Sequence, residues 1–347
     1  MFDPILVPLD GSLLAECVLP HVVAIARAYD AKVILLRVLD KNQASEKAQL
    51  FDLLNWQINK TGAKLYLEKV SARLQKSGLR IETAVLEGLV AESITEYALS
   101  RGIKLIILSS HGRSGLSQWG ISSVTQKIIF SAPSSLPIIR AYQPATSESI
   151  ERQYNRIVVP LDGSRRAENV LPMVTLLARF HQSQIHIAHV VKTPEMARQM
   201  PLSSEEVELS DQIVARNREE AIRYLDQVRL HSPLDGIDVQ THLLTSDNAA
   251  AALHELAEKE SIDMVALSAH GYSGNKQWPY GSMVNIFILY SKVPLLIVQD
   301  LPAKEDPVNK SLTGVWSVFV TEIEASSLEA NRAPHLSQER APSGFSN

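Results

Sequence analysis

The sequence predicts a tandem α/β protein: two doubly wound parallel five-stranded sheets of strand order 3-2-1-4-5, each with helices on both faces, followed by a C-terminal tail. Three observations carry this. The chain has 347 residues, which at roughly 150 residues per domain is two domains with about fifty residues over. Residues 5–12 read ILVPLDGS and residues 157–164 read IVVPLDGS, an internal repeat at an offset of 152. Within each copy, short apolar runs alternate with amphipathic stretches.

The repeat extends well beyond its first strand. Ala15, Glu16, Val18, Leu19 and Pro20 return as Ala167, Glu168, Val170, Leu171 and Pro172. Near the end of each copy, LSSHGRSGLSQW (108–119) faces LSAHGYSGNKQW (267–278), and LPIIR (136–140) faces VPLLI (293–297). A period this long marks whole domains, not the 20–50-residue units of a solenoid.

In order along the first copy, ILVPL is a strand and LLAECVLPHVVAIARAY a helix with apolar residues three and four apart. KVILLRV is the second strand, followed by a long helical stretch through about residue 77. RIETAVLE is the third strand, and VAESITEYALSRG is a helix stopped by Gly102. KLIILSS is a nearly all-apolar fourth strand. A short helix near 122–131 and the strand LPIIR complete the unit, and residues 156–299 repeat it. Apolar strands separated by helices imply parallel sheets covered on both faces, and right-handed crossovers favour the 3-2-1-4-5 order. The expected domains are 1–142 and 154–300, with a polar linker at 143–153 and a low-order tail at 301–347. The tail holds one apolar stretch around Trp316, Val318, Phe319 and Val320.

Thirty-four Lys and Arg against 38 Asp and Glu give a net charge of −4, which argues against a dedicated nucleic-acid binder. A single cysteine, Cys17, excludes an intramolecular disulfide framework and is expected in the core. The opening residues lack a signal-peptide pattern and no apolar run is long enough to span a membrane, so a cytoplasmic protein without membrane partners is expected. His186 and His189 fall on opposite faces of one strand and cannot share a metal. No metal site is expected. Met196 and Met200 read as gap-fillers over the core, and the charge-mixed helix around 205–230 as a solvated face.

In such sheets, ligands bind beyond the carboxyl ends of the strands where the order reverses, here between strands one and four. That rim carries Asp10-Gly11-Ser12 and Ser109-Ser110-His111-Gly112 in one copy, and Asp162-Gly163-Ser164 and Ser268-Ala269-His270-Gly271 in the other. Asp-Gly-Ser reads first as a tight turn with a serine N-cap, which leaves the repeated aspartate unexplained; its carboxylate could accept from a ribose hydroxyl or an adenine amino group. His111 and His270 read as loop-packing residues before they read as acid–base groups. After Gly271 come nine residues and then Gly281-Ser282 opening a helix, where free N–H groups and the helix dipole favour phosphate. Neither a P-loop lysine motif nor GxGxxG after strand one is present.

VPLDGS at strand one, the strand ends LLRVLD and IAHVVK, and SxHG with its nine-residue spacer together resemble the universal stress protein family in its two-domain form. The resemblance covers residues 2–142 and 154–300. It implies a stress-response protein that binds ATP, alone or with Mg2+, through a G-x2-G-x9-G-[ST] pattern. Matching positions are Ser268, Gly271, Gly281 and Ser282 in the second domain, and Ser109, Gly112, Ser122 and Ser123 in the first. It also implies that Asp162 and Asp10 hold the adenosine end, with the backbone at Val190 and Val38 against adenine. The second domain ranks first, because a Cβ at Ser122 would cost about 1–2 kcal/mol if that position requires positive φ.

The expected function is an ATP-dependent sensor or regulator, with no catalytic residue assigned. A scaffold of the same fold without nucleotide is the alternative, and a slow ATP hydrolase a weaker one. The two domains are expected to pack as a pseudo-dimer through residues 136–140 and 293–297, which would hide their exposed edges. A homodimer is a further expectation.

Overall fold

A computed structural model of the chain describes residues 2–40, 49–113, 115, 121–141, 151–194, 203–232, 234–272 and 280–300. Most of the expected linker, Met196, Met200 and the whole 301–347 tail with its Trp316 segment lie outside the described residues.

The first repeat runs β1 (Ile5–Pro8), a 3-10 turn (Ala15–Val18), α1 (Leu19–Ala28), β2 (Val33–Asp40), α2 (Gln49–Gln75), β3 (Ile81–Gly88), α3 (Val90–Ser100), β4 (Leu105–Ile106), β5 (Leu108–Ser109), α4 (Ser123–Ser131) and β6 (Leu136–Ile139). The second runs β7 (Arg156–Pro160), α5 (Arg165–Glu168), α6 (Leu171–His181), β8 (Gln184–Val191), α7 (Ser204–His231), β9 (Val239–Thr245), α8 (Ala249–Lys259), β10 (Met264–Ser268), α9 (Ser282–Tyr290) and β11 (Leu295–Val298).

The first helix of each repeat is broken, where the sequence pattern suggested one continuous helix. Pro20 and Pro172 lack the N–H that would reach back to residues 16 and 168, so the chain makes one short turn and restarts with proline in the first turn of α1 and α6. The long helix α7 begins at a full capping box, in which Ser203 Oγ accepts from Glu206 N and the Glu206 side chain accepts from Ser203 N.

The strands form one four-stranded sheet, β3-β2-β1-β4, and one seven-stranded sheet, β5-β6-β11-β10-β7-β8-β9. β4 and β5 are two halves of the expected fourth strand, divided at Ile107, whose N–H donates to Leu6 O at 2.9 Å. β4 pairs with β1 through Ile5–Leu105 and Leu6–Ile106, and β5 pairs with β6 through Leu108–Ile138 and Ser109–Ile139. Each repeat therefore has the 3-2-1-4-5 order, with every pair inside a repeat parallel. The join differs: β6 and β11 are antiparallel, with Leu295 opposite Ile138, Leu296 opposite Pro137 and Ile297 opposite Leu136.

Side chains alternate along the strands, so the sheet surface separates two cores. Ile5, Val7, Ile157, Val159, Leu296 and Val298 pack on one side with α1, α2, α6 and α7. Leu6, Val158, Val265, Leu267, Leu295 and Ile297 pack on the other with α3, α4, α8 and α9. Cys17 is buried in the first core. Between the repeats Tyr154 is wholly buried, shares a 2.6 Å hydrogen bond with His21 Nδ1, and meets the His181 ring edge-on. Tyr29 Oη donates to Met173 O at 3.1 Å, and buried Arg140 donates to the carbonyls of Phe287 and Ile288, near the end of α9.

Candidate functional site

The carboxyl ends of the parallel strands open into two crevices, one per repeat. Asp10 and Asp162 each stand two residues past the last residue of the first strand of their repeat. The following glycines, Gly11 at φ +84° and Gly163 at φ +89°, occupy the left-handed region that favours glycine. Ser12 Oγ then accepts from Ala15 N at 3.1 Å and Ser164 Oγ from Ala167 N at 3.2 Å, so both serines cap the turn that follows.

Both aspartates tie strand one to the loop after strand four. Asp10 Oδ1 accepts from Ser12 N at 2.8 Å and its Oδ2 from Arg113 N at 2.5 Å. Asp162 Oδ1 accepts from Ser164 N at 3.0 Å and Ser164 Oγ at 2.6 Å, while Oδ2 accepts from Tyr272 N at 2.6 Å. Close approach of these carboxylates explains the neighbouring glycines. A Cβ on Gly112 or Gly271 would fall inside the van der Waals envelope of Asp10 Oδ2 or Asp162 Oδ2. The repeated aspartate thus has a structural task, with about four acceptor positions per carboxylate and some left over for a ligand.

The second crevice is a cavity of about 640 Å³, and Asp162, Val190, Ser268, His270, Gly271, Gly281 and Ser282 all line it. The first is about 620 Å³ and is lined by Asp10, Val38, Ser109, Gly112 and Ser122. Ser123 is the first residue of α4 and is not part of that lining.

The helix starts differ. Ser122 caps α4, its Oγ accepting from Thr125 N at 3.1 Å and meeting Thr125 Oγ1 at 2.9 Å, while Thr125 Oγ1 donates to Ser109 O. Gly281 stands at the same place before α9 and provides no side-chain cap. Its φ of −71° matches the −73° of Ser122. Position 122 therefore requires no left-handed backbone, and the conformational penalty expected of a Cβ there does not arise. What distinguishes the two positions is a helix N–H that Ser122 takes up and Gly281 leaves open. The serines of strand four differ in parallel. Ser109 Oγ donates to His111 O at 2.5 Å, whereas buried Ser268 Oγ has no hydrogen-bond partner among the described residues.

The two loop histidines are held from behind. His270 Nδ1 lies 2.7 Å from Asp300 Oδ1, and Asp300 Oδ2 lies 2.7 Å from Arg166 Nε; His270 and Asp300 are buried to within 1% exposure. In the first repeat, His111 Nδ1 meets Ser110 Oγ at 3.0 Å, and that oxygen accepts from Ala141 N. Burial, and then the charge of Arg140, lowers the His111 pKa. Arg166 and Asp300 were not singled out from sequence. The strand register, in which Ser110 N donates to Ile139 O as Ala269 N does to Val298 O, equates residue 136 with 295 and not with 293, and gives Leu14 and Ala141 as their counterparts in the first repeat.

The long helices supply walls that the strand motifs did not reveal. N-x3-A-x2-Y-L recurs at 59–67 and 217–225, placing Asn59 and Asn217 on the two cavities. Tyr224 Oη donates to Glu168 Oε1 at 3.1 Å, and burial followed by the Glu168 charge raises its pKa strongly. Glu16, the counterpart of Glu168, pairs with Arg73 at 2.6 Å. The first crevice carries Arg37, Arg113 and Trp56, and the second has His189, Tyr272 and Lys192. His189 Nδ1 meets Leu161 O at 2.8 Å, while His186 turns to the other face and stacks on His242. Among the described residues no group of three or more His, Cys, Asp or Glu is placed to hold a metal, and no helix is long and apolar enough to cross a membrane.

Residues 1–140 and 153–299 both match the universal stress protein family. The chain belongs to that family. Universal stress protein MJ0577 of Methanocaldococcus jannaschii is 31% identical over 145 residues, covering 37% of this chain and 89% of that protein. YxiE of Bacillus subtilis, also a universal stress protein, is 27% identical over 148 residues, 40% of this chain and 98% of its own. Single-repeat relatives of this length match one half of the present chain. Among solved structures, a universal stress protein from Archaeoglobus fulgidus superposes with a TM-score of 0.59 at 18% identity, over 86% of this chain and 99% of its own. That likeness speaks to the universal stress protein fold, and it spans both repeats.

Proposed function

We propose that this universal stress protein is a cytoplasmic stress-response regulator whose second crevice, in domain 154–300, binds ATP. The observation that carries the reading is the open start of α9, a nine-residue helix whose glycine N-cap leaves first-turn N–H groups facing a cavity of about 640 Å³. Free N–H groups and the helix dipole at such a start favour phosphate. The Ser282 hydroxyl adds a donor, and the unpartnered Ser268 hydroxyl lies on the same wall. Asp162 has acceptor capacity left for a ribose hydroxyl. The Val190 backbone, at the rim of β8, supplies edge hydrogen bonds for a purine. ATP would bring a polyanion that answers the helix start at Gly281 and Ser282, and any Mg2+ would arrive with its phosphates. The β6–β11 ladder supports reading the two domains as an internal pseudo-dimer.

The test is to denature the purified protein and identify the released nucleotide by chromatography, beside Gly281→Ser, which supplies the cap that Ser122 gives α4. The nearest atom to a Cβ at position 281 is Ala269 O at 3.7 Å, an ordinary contact, so the substitution leaves the fold intact. About one equivalent of ATP, lost in the variant, is expected. Two equivalents with one surviving would place ATP in both crevices. No nucleotide, and no thermal shift with millimolar Mg-ATP, would favour a scaffold that works without it.

A further inference from the structure

The first crevice is not a weakened copy of the second, because its positive charge has moved to another wall. Arg37 lies on β2 in register with Val33 and Leu35, on the sheet face covered by α1 and α2. Its guanidinium stacks over the Tyr66 ring of α2 at 5.3 Å and covers Gly11, where an added Cβ would come within 2.9 Å of it. The side chain is half-buried and lines the cavity, yet its N–H groups have no hydrogen-bond acceptor among the described residues. A guanidinium carries five donors in a fixed fork, and those of Arg37 stay open to solvent and to a ligand entering the cavity.

Arg113 lines the same cavity, and its NH2 donates to Asp10 O at 3.2 Å. Burial first, and the like charge of Arg113 second, lower the Arg37 pKa, while Tyr66 and Asp10 act the other way. The crevice also holds Asp40. The Asp10 carboxylate is already engaged by two backbone N–H groups. Two neighbouring guanidiniums, one of them without acceptors, suit a dianion better than a single negative charge. Trp56, Val38 and Ile94 provide an aromatic and aliphatic surface for a flat body beside it. At the opposite wall, the Ser122 cap occupies one of the α4 donors that a polyphosphate would use.

We propose that the first crevice binds a planar small molecule bearing one phosphate monoester, with the phosphate held by Arg37 on the α2 wall and not at the start of α4. In the second repeat the corresponding residue is His189, bonded to Leu161 O, so this subsite belongs to the first crevice alone.

Calorimetric titration of the full chain with AMP and with adenosine tests this, using wild type, Arg37→Gln, Arg37→Lys and Gly281→Ser. AMP should bind at least tenfold more tightly than adenosine. Arg37→Gln should remove that advantage while changing adenosine affinity less than twofold, and Gly281→Ser should leave it intact. Arg37→Lys keeps the charge but loses the planar fork, and should fall about threefold or more. If Arg37→Gln fails to fold, the Lys variant decides alone: an unchanged AMP-to-adenosine ratio overturns the proposal. Equal binding of AMP and adenosine by wild type, or no AMP binding, overturns it as well. AMP binding that is lost in Gly281→Ser but kept in Arg37→Gln would place AMP in the second crevice, overturning this proposal while leaving the ATP reading standing.

Discussion

Asp162 occupies the space that a side chain at position 271 would need. Its Oδ2 accepts from Tyr272 N and lies against the Cα of Gly271, and Asp10 stands in the same relation to Gly112. Glycine at this point in the loop is therefore a consequence of the aspartate 109 residues earlier, independent of any phosphate. Gly271→Ala should destabilise the protein by about 1–2 kcal/mol, because the carboxylate must leave its backbone donors. In the double variant Asp162→Ala/Gly271→Ala the methyl group has room. The two losses should then be less than additive. Urea unfolding of the four proteins checks this, and strict additivity would refute the steric link.

Asp300 is buried between Arg166 and His270, and its removal takes an acceptor from both. Asp300→Ala should cost about 2–3 kcal/mol, discounted from a fully buried pair because Arg166 is about one-third exposed. Adding Arg166→Leu restores the residue types that the first repeat uses, Leu14 and Ala141, and should recover part of the loss. A double variant less stable than Asp300→Ala would contradict this account.

Acid should weaken the fold through its buried histidines. Burial, and then the Arg152 charge, push the His21 pKa down to about 3, while in the unfolded chain it titrates near 6.5. Between those values the unfolded state binds a proton that the folded state refuses, so stability falls as pH drops from about 6.5 towards 3, at up to roughly 1.4 kcal/mol per pH unit for this one group. His111, His181, His186, His242 and His254 are lowered too and act in the same direction. His21→Asn should reduce the slope by about one proton between pH 4 and 6. Tyr154→Phe, which strands the buried His21 Nδ1, should cost about 1–3 kcal/mol at pH 7. An unchanged slope in His21→Asn would dismiss His21 as a source of acid sensitivity.

Ser122→Gly should cost only a few tenths of a kcal/mol at the α4 cap and free the Thr125 N–H that Ser122 now holds. On the reading proposed for the second crevice, ATP bound per chain should rise in this variant. Stoichiometry that stays at the wild-type value would show that the cap is not what separates the two crevices.

The fold was legible because its signals are local or repeated. Apolar strands at 5–8 and 157–160 and a helix that stops at Gly102 need no distant information, and the duplicated VPLDGS and SxHG segments line both crevices. What could not be read were bonds between distant residues: Asp162 to Tyr272 N, Arg166 to Asp300, Tyr224 to Glu168. Ser122 shows a subtler gap. Sequence marked it as a lost glycine, but the backbone angle there is ordinary and the difference is whether a hydroxyl turns back onto its own helix. Pro20 was visible throughout, yet the apolar period ran through it and hid the break at residues 18–19.

The antiparallel contact of β6 with β11 has a consequence for how the two halves diverge. Two identical chains meeting along such an edge must carry the same residue at every site, and dilution separates them. Here the halves share one polypeptide, so their encounter is independent of concentration and each half mutates alone. Serine at 122 beside glycine at 281, and arginine at 37 beside histidine at 189, are asymmetries that a pair of identical single-repeat chains could not carry. One molecule then carries two unlike crevices in a fixed one-to-one ratio.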